Sequence, residues 1–208
     1  QAMYSNTAGN DNAAFGLNTL RSNTSGSYNT ASGSESMLDN TTGGGNTAVG
    51  ASSLLSNISG DGNTAIGFES LGSNTTGQLN TTVGYQSLIS NISGKNNSAF
   101  GFGALSANTT GHSNVAIGYA ALYNTTTRAN LVAVGDSTLY NNGIGATSAF
   151  HATENTALGS KALFANTTGY ANTASGVKAL FSNTSGNNNT ANGTKALYAN
   201  NAGIYNVA

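Results

Sequence analysis

A parallel β-solenoid is the fold class that this sequence predicts, and three observations predict it. A unit of seventeen residues recurs along the chain, each unit carries an apolar residue at one fixed place, and turn-forming Gly and Asn recur at fixed places beside it. The stretch "NTAIGFESLGSNTTGQL", residues 63–79, returns at once as "NTTVGYQSLISNISGKN" and again as "NSAFGFGALSANTTGHS".

Glycine marks the register. Gly16, Gly33, Gly50, Gly67, Gly84, Gly101, Gly118 and Gly135 are each seventeen apart; after a jump of twenty-four, Gly159, Gly176 and Gly193 resume the spacing. Eight residues beyond the first residue of each unit stands Leu20, Met37, Leu54, Leu71, Leu88, Leu105, Leu122, Leu139, Leu163, Leu180 or Leu197, a column with no polar member.

Within a unit, "NTAIG" and "SLxSN" read as two short strands, each closed by a turn signal at Gly or at "NTTG". Helix is a poor alternative, because Gly, Asn, Ser and Thr fill the units and no apolar stripe of helical period persists. Each unit is then one coil, stacked about 4.8 Å from the next, and about twelve coils make a rod on the order of 55 to 60 Å long.

Strand alternation sets the expected interior. Position four of each unit, counting its first Asn as one, holds Phe15, Val49, Ile66, Val83, Phe100, Ile117, Val134 or Leu158, and is expected to share the core with Leu54, Leu71, Leu88, Leu105 and Leu122. The Ala at position three, as in Ala48, Ala65 and Ala116, then points the opposite way and suits close approach of a neighbouring surface. The frequent Thr at position two is expected to point inward with position four.

Two asparagine columns run along the chain. Asn46, Asn63, Asn80 and Asn97 belong to the first, and Asn57, Asn74, Asn91 and Asn108 to the second. Stacked amides can bond to one another along an axis, and Asn tolerates the backbone of tight corners, so both columns read as structural ladders.

Composition narrows the classes of function. The chain has 208 residues with no Pro, Cys or Trp, 28 Gly, 6% charged residues and a net charge of −1. Near-neutral charge removes the phosphate-neutralising term of nucleic-acid binding and the polybasic term that draws proteins to anionic membranes. No apolar run approaches the roughly 20 residues of a membrane span, and the opening "QAMYSNTAGN" lacks the basic and apolar regions of a signal peptide. Partial copies of the repeat stand at both ends, which suggests a segment of a longer fibre protein.

Each coil buries few large side chains for the seventeen residues it must order, so further burial against other chains is expected, as a homo-oligomer and most simply a trimer. Regular coils span 1–145, becoming irregular from about 125, and resume over 155–208. Leu131 replaces the first Asn, Thr125 the second and Arg128 the turn Gly, and residues 146–154 form an inserted loop containing Phe150 and His151.

Aromatic residues form two columns: Phe68, Tyr85, Phe102 and Tyr119 after the Gly, and Tyr123, Tyr140, Phe164, Phe181 and Tyr198 after the Leu. Exposed, they could stack on sugar rings; the alternative is that they pack between chains or cover the corners. Lys161, Lys178 and Lys195 stand in register as a solvated stripe.

Reactive chemistry is not legible. The seven carboxylates are scattered, His112 and His151 stand alone, and the glycine runs carry no phosphate-loop Lys or dinucleotide fingerprint. No enzyme, metal or cofactor is expected.

The unit "NTAxG…AL(Y/F)(S/A)NTTG", clean in "NTALGSKALFANTTGYA" and "NTASGVKALFSNTSGNN", resembles repeats of bacterial surface proteins and phage tail-fibre-like proteins. More loosely, "NVAIG" at 114–118 and "NTAIG" at 63–67 look like the head motif of trimeric autotransporter adhesins. The resemblance implies an extracellular fibre on a bacterial cell or phage tail that projects, spaces or adheres, with a cell-surface glycan or receptor as a partner. A carbohydrate-binding module using the aromatic columns is the alternative, and an ice-binding solenoid with an exposed Thr array is a third reading.

Overall fold

The computed structural model describes residues 1–208, and the chain winds as an all-β parallel solenoid of about eleven coils. Eleven strands, β1 (Ala13–Phe15), β2 (Thr30–Ser32), β3 (Thr47–Val49), β4 (Thr64–Ile66), β5 (Thr81–Val83), β6 (Ser98–Phe100), β7 (Val115–Ile117), β8 (Val132–Val134), β9 (Thr156–Leu158), β10 (Thr173–Ser175) and β11 (Thr190–Asn192), form one sheet in sequence order. Like residues pair with like, as in Thr47 with Thr64 and Ala48 with Ala65, so register follows the repeat itself. The first and last strands lie about 48 Å apart at the usual parallel spacing. A bridge from Thr190 to Val207 begins a twelfth coil.

Each coil has one strand, not the two expected. The "SLxSN" segment is a run of turns, because Glu69 and Leu71 sit in the left-handed region at φ 52° and 55°, and their counterparts in the other coils do the same. An extended strand cannot contain such residues, yet the turns still join the stack. Leu71 N donates to Ser87 O at 3.0 Å and Ser73 N to Ile89 O at 3.0 Å. Of 138 backbone hydrogen bonds only 20 lie within the strands; the other 118 include some that close a turn inside one coil, but most run from coil to coil, so the turns carry most of the cohesion between coils.

The interior also departs from expectation. The Leu column is buried from Leu20 to Leu180, with Leu54, Leu71, Leu88, Leu105 and Leu122 at its centre and Leu197 half-buried at its end, but the strand is turned over. Ala65 and Ala116 are fully buried, while Ile66 and Ile117 are 39% and 41% exposed and Val83 is half-buried. Thr at position two shares the outward side. Parity explains the reversal: the first Asn of each unit is buried, and residues two apart share a face, so Asn63 brings Ala65 inward and sends Thr64 and Ile66 out.

Position three holds Ala in every coil but one and nothing larger than Thr, because the opposite wall comes close. Ser70, at position eight, reaches across to Thr82, the one Thr of the inward Ala column, at 2.6 Å, and bonds Ser87 at 3.0 Å. Replacing Ala65 with Leu is expected to cost about 1 to 3 kcal/mol through overpacking, whereas Ile66→Ala changes stability by less than about 1 kcal/mol. Urea unfolding of the two variants checks this, and the opposite ranking would restore the original assignment of faces.

Candidate functional site

Three features hold the side chains singled out by the sequence: the asparagine corner, the outer ladders, and the irregular coil. All eight predicted ladder asparagines are buried. Asn74 Nδ2 donates to Asn57 Oδ1 at 2.8 Å and to Gly77 O at 3.0 Å; Asn63 Nδ2 donates to Asn46 Oδ1 at 3.2 Å and to the same Gly77 O at 2.9 Å. Asn46, Asn80 and Asn97 repeat the second pattern, and Asn57, Asn91 and Asn108 the first. Both columns thus converge on one glycine carbonyl per coil. That glycine is set by space, since a Cβ on Gly77 would lie 2.2 Å from Asn74 Oδ1 and 2.5 Å from Gly94 O.

The predicted aromatic columns exist as ring stacks. Phe68, Tyr85, Phe102 and Tyr119 follow one another at centroid distances of 5.2 to 5.3 Å, and Tyr123, Tyr140, Phe164, Phe181 and Tyr198 at 5.1 to 5.4 Å. The first stack is exposed, and the second is half-buried except for Tyr198 at its end. Because each ring in a stack turns its faces toward its neighbours, solvent meets mainly ring edges. Lys178 Nζ sits 5.9 Å from the Phe181 centroid, at the outer limit of a cation–π contact.

The irregularities of the sequence come together in one place. Arg128 Nη1 donates to Ser148 O at 2.8 Å and Nη2 to Ala146 O at 2.8 Å, so the residue that replaces the turn glycine holds the inserted loop. Asn142 Nδ2 bonds Ala152 O at 2.8 Å, which puts Ala152 in the place of the corner glycine and returns the chain to its coil there, ahead of Asn155. Phe150 is exposed and meets Tyr170 and His151 edge to face. His151 is half-buried, with Nδ1 accepting a long bond of 3.4 Å from Ser148 N.

Thr125 leaves a gap in the amide column: Asn108 Oδ1 is buried without a partner, as is Arg128 Nε. Arg128 as loop anchor escaped the sequence reading. Its signal was the joint loss of Asn at 125 and Gly at 128, since on the backbone of the regular corner a Cβ collides with the facing amide oxygen; Ala152, which faces Asn142, carries its Cβ on a backbone turned to φ 59°.

No group of three or more His, Asp or Glu side chains is brought together, and no helix is long and apolar enough to cross a membrane. A shallow depression among Ser52, Leu55, Ser56, Glu69, Ser73 and Ile89 arises where Gly72 interrupts the position-ten column. Glu69 there accepts a bond from Gln86 Nε2 at 2.7 Å. These surfaces define a repeat solenoid whose side chains are ordered as ladders. Comparisons with protein-family models, with curated proteins and with solved structures give no match to this chain.

Proposed function

We propose that this chain is a structural segment of an extracellular fibre or adhesin, a homotrimer that projects from a bacterial cell or a phage tail and supports attachment. The observation that carries this reading is the uniformity of the stack. Eleven strands in one register are joined by backbone and amide ladders, so length is gained by adding coils of one pattern. The segment acts as a spacer without a catalytic step.

Stacking of the aromatic rings on one another supports packing against protein over the carbohydrate-binding reading, which needs free ring faces. An ice-binding face requires a flat Thr array; here the outward Thr column runs beside Phe15, Phe100 and Leu158 of uneven bulk and is broken by Val115 and Val132.

Immunogold labelling of intact cells or virions, with electron micrographs of the parent chain, tests the proposal. Labelled slender rods outside the cell or on the tail are expected, and excision of residues 63–96, two whole coils, shortens them by about 10 Å without loss of the solenoid. Label confined to the cytoplasm would sink it.

A further inference from the structure

Because the strand is turned over, its largest apolar side chains stand outside. From Val49 to Leu158, position four carries Val, Ile, Phe or Leu in seven successive coils; the run is bounded by Ser32 on one side and by Ser175 and Asn192 on the other, with Phe15 standing apart in the first coil. Position six adds the exposed stack from Phe68 to Tyr119 over four of those coils. Between the two columns runs Gly at position five, with φ near 130°, where a Cβ would meet the carbonyl of the next coil at about 2.5 Å, as at Gly67 and Gly84. Two apolar columns therefore flank a strip with no side chains. Asp136 is the one charged residue in either column.

We infer that this face, positions four to six of the third to ninth coils, is the contact by which one copy of the chain packs along a second copy. The inference rests on the fibre reading and names its partner. Periodicity selects that partner: the columns repeat about every 4.8 Å, and a second solenoid of the same rise can match every coil at once. Shape selects it as well, because a column of one copy can lie over the bare glycine strip of the other. Charge complementarity plays no part, so the partner surface is apolar, as this face is.

The size is adequate for such a contact. Seven coils give about 34 Å of length, and two side-chain columns about 15 Å of width, so a pair of chains covers on the order of 1,000 Å² in total, the lower bound of a specific interface.

The test uses serine, which the chain itself places at position four in Ser32 and Ser175, so the coil accepts it. Ile66→Ser, Phe100→Ser and Ile117→Ser are combined in one 208-residue variant, with Tyr140→Ser and Phe164→Ser as a second variant on the other aromatic column. Masses are measured by sedimentation, with circular dichroism as the check on fold. The expected result is a wild-type particle at a multiple of 20.7 kDa, a first variant at 20.7 kDa with an unchanged spectrum, and a second variant that stays assembled. A wild-type oligomer that survives the first variant and is dissolved by the second overturns this inference and leaves the fibre reading standing. A wild type at 20.7 kDa up to high concentration overturns the inference and removes self-association from that reading, while the location of the labelled rods still tests the fibre itself.

Discussion

Asn74→Ala is expected to destabilise the solenoid by about 3 kcal/mol, among the largest effects of any single substitution that leaves the backbone unchanged. The amide joins three coils: it donates to Asn57 Oδ1 and Gly77 O and accepts from Asn91 Nδ2 at 2.7 Å. Removing it strands Asn57 Oδ1 in a buried corner, and leaving a buried polar atom unsatisfied costs more than the lost bond contributes. Asn108 supplies the internal comparison. Its Oδ1 already lacks a donor, so Asn108→Ala loses one inter-coil bond fewer and is expected to cost about 1 kcal/mol less. Urea unfolding measures both, and equal costs would show that the amide ladder is not what holds the corner.

A double-mutant cycle at Thr125 and Arg128 is expected to give a favourable coupling of about 2 kcal/mol or more. Thr125→Asn alone places an amide oxygen against the Arg128 Cβ, the same collision that a Cβ on Gly77 would make with Asn74 Oδ1 at 2.2 Å. Arg128→Gly alone releases the loop from the two bonds to Ser148 and Ala146. Together they restore the repeat's own Asn and Gly, and the introduced amide reaches the orphaned Asn108 Oδ1. Thermal unfolding of the two single variants and the double variant reads the coupling, and additive effects would mean that the two departures from the repeat arose independently of the corner geometry.

The period, the Leu column and both Asn columns were legible because each is a periodic choice of residue type, and stacking turns period into contact. Which side of the strand faces inward was not legible from hydrophobicity, which sends Ile66 to the core ahead of Ala65. The decisive residue was Asn63, whose burial fixes the parity, but a polar residue beside a turn reads as a corner and not as an interior group. The second strand failed for a different reason: a leucine at φ 55°, as at Leu71, carries no sequence signal, since the residue rarely takes that conformation and here does so because its neighbours in the stack leave no other. The anchoring of the loop by Arg128 depended on a contact between separate parts of the chain. The fibre reading rests on the uniformity of the stack, and the self-packing face on the outer columns, whose exposure depends on the same parity.

The asparagine corner also carries an electrical sense of its own. Backbone bonds between coils run both ways, as Thr64 N donates forward to Asn80 O while Gly67 N donates backward to Val49 O, with the forward direction in the majority. The side-chain amides run one way only and against that majority, because in both columns Nδ2 of one coil donates to Oδ1 of the coil before it, as in Asn74 to Asn57 and Asn63 to Asn46. Aligned amides add head to tail as they do along a helix, with the positive side toward the earlier coils and the negative side toward the later ones. Thr125, which contributes a hydroxyl where the column needs an amide, interrupts one of these two currents of dipoles and divides it into a run ending at Asn108 and a run beginning at Asn142.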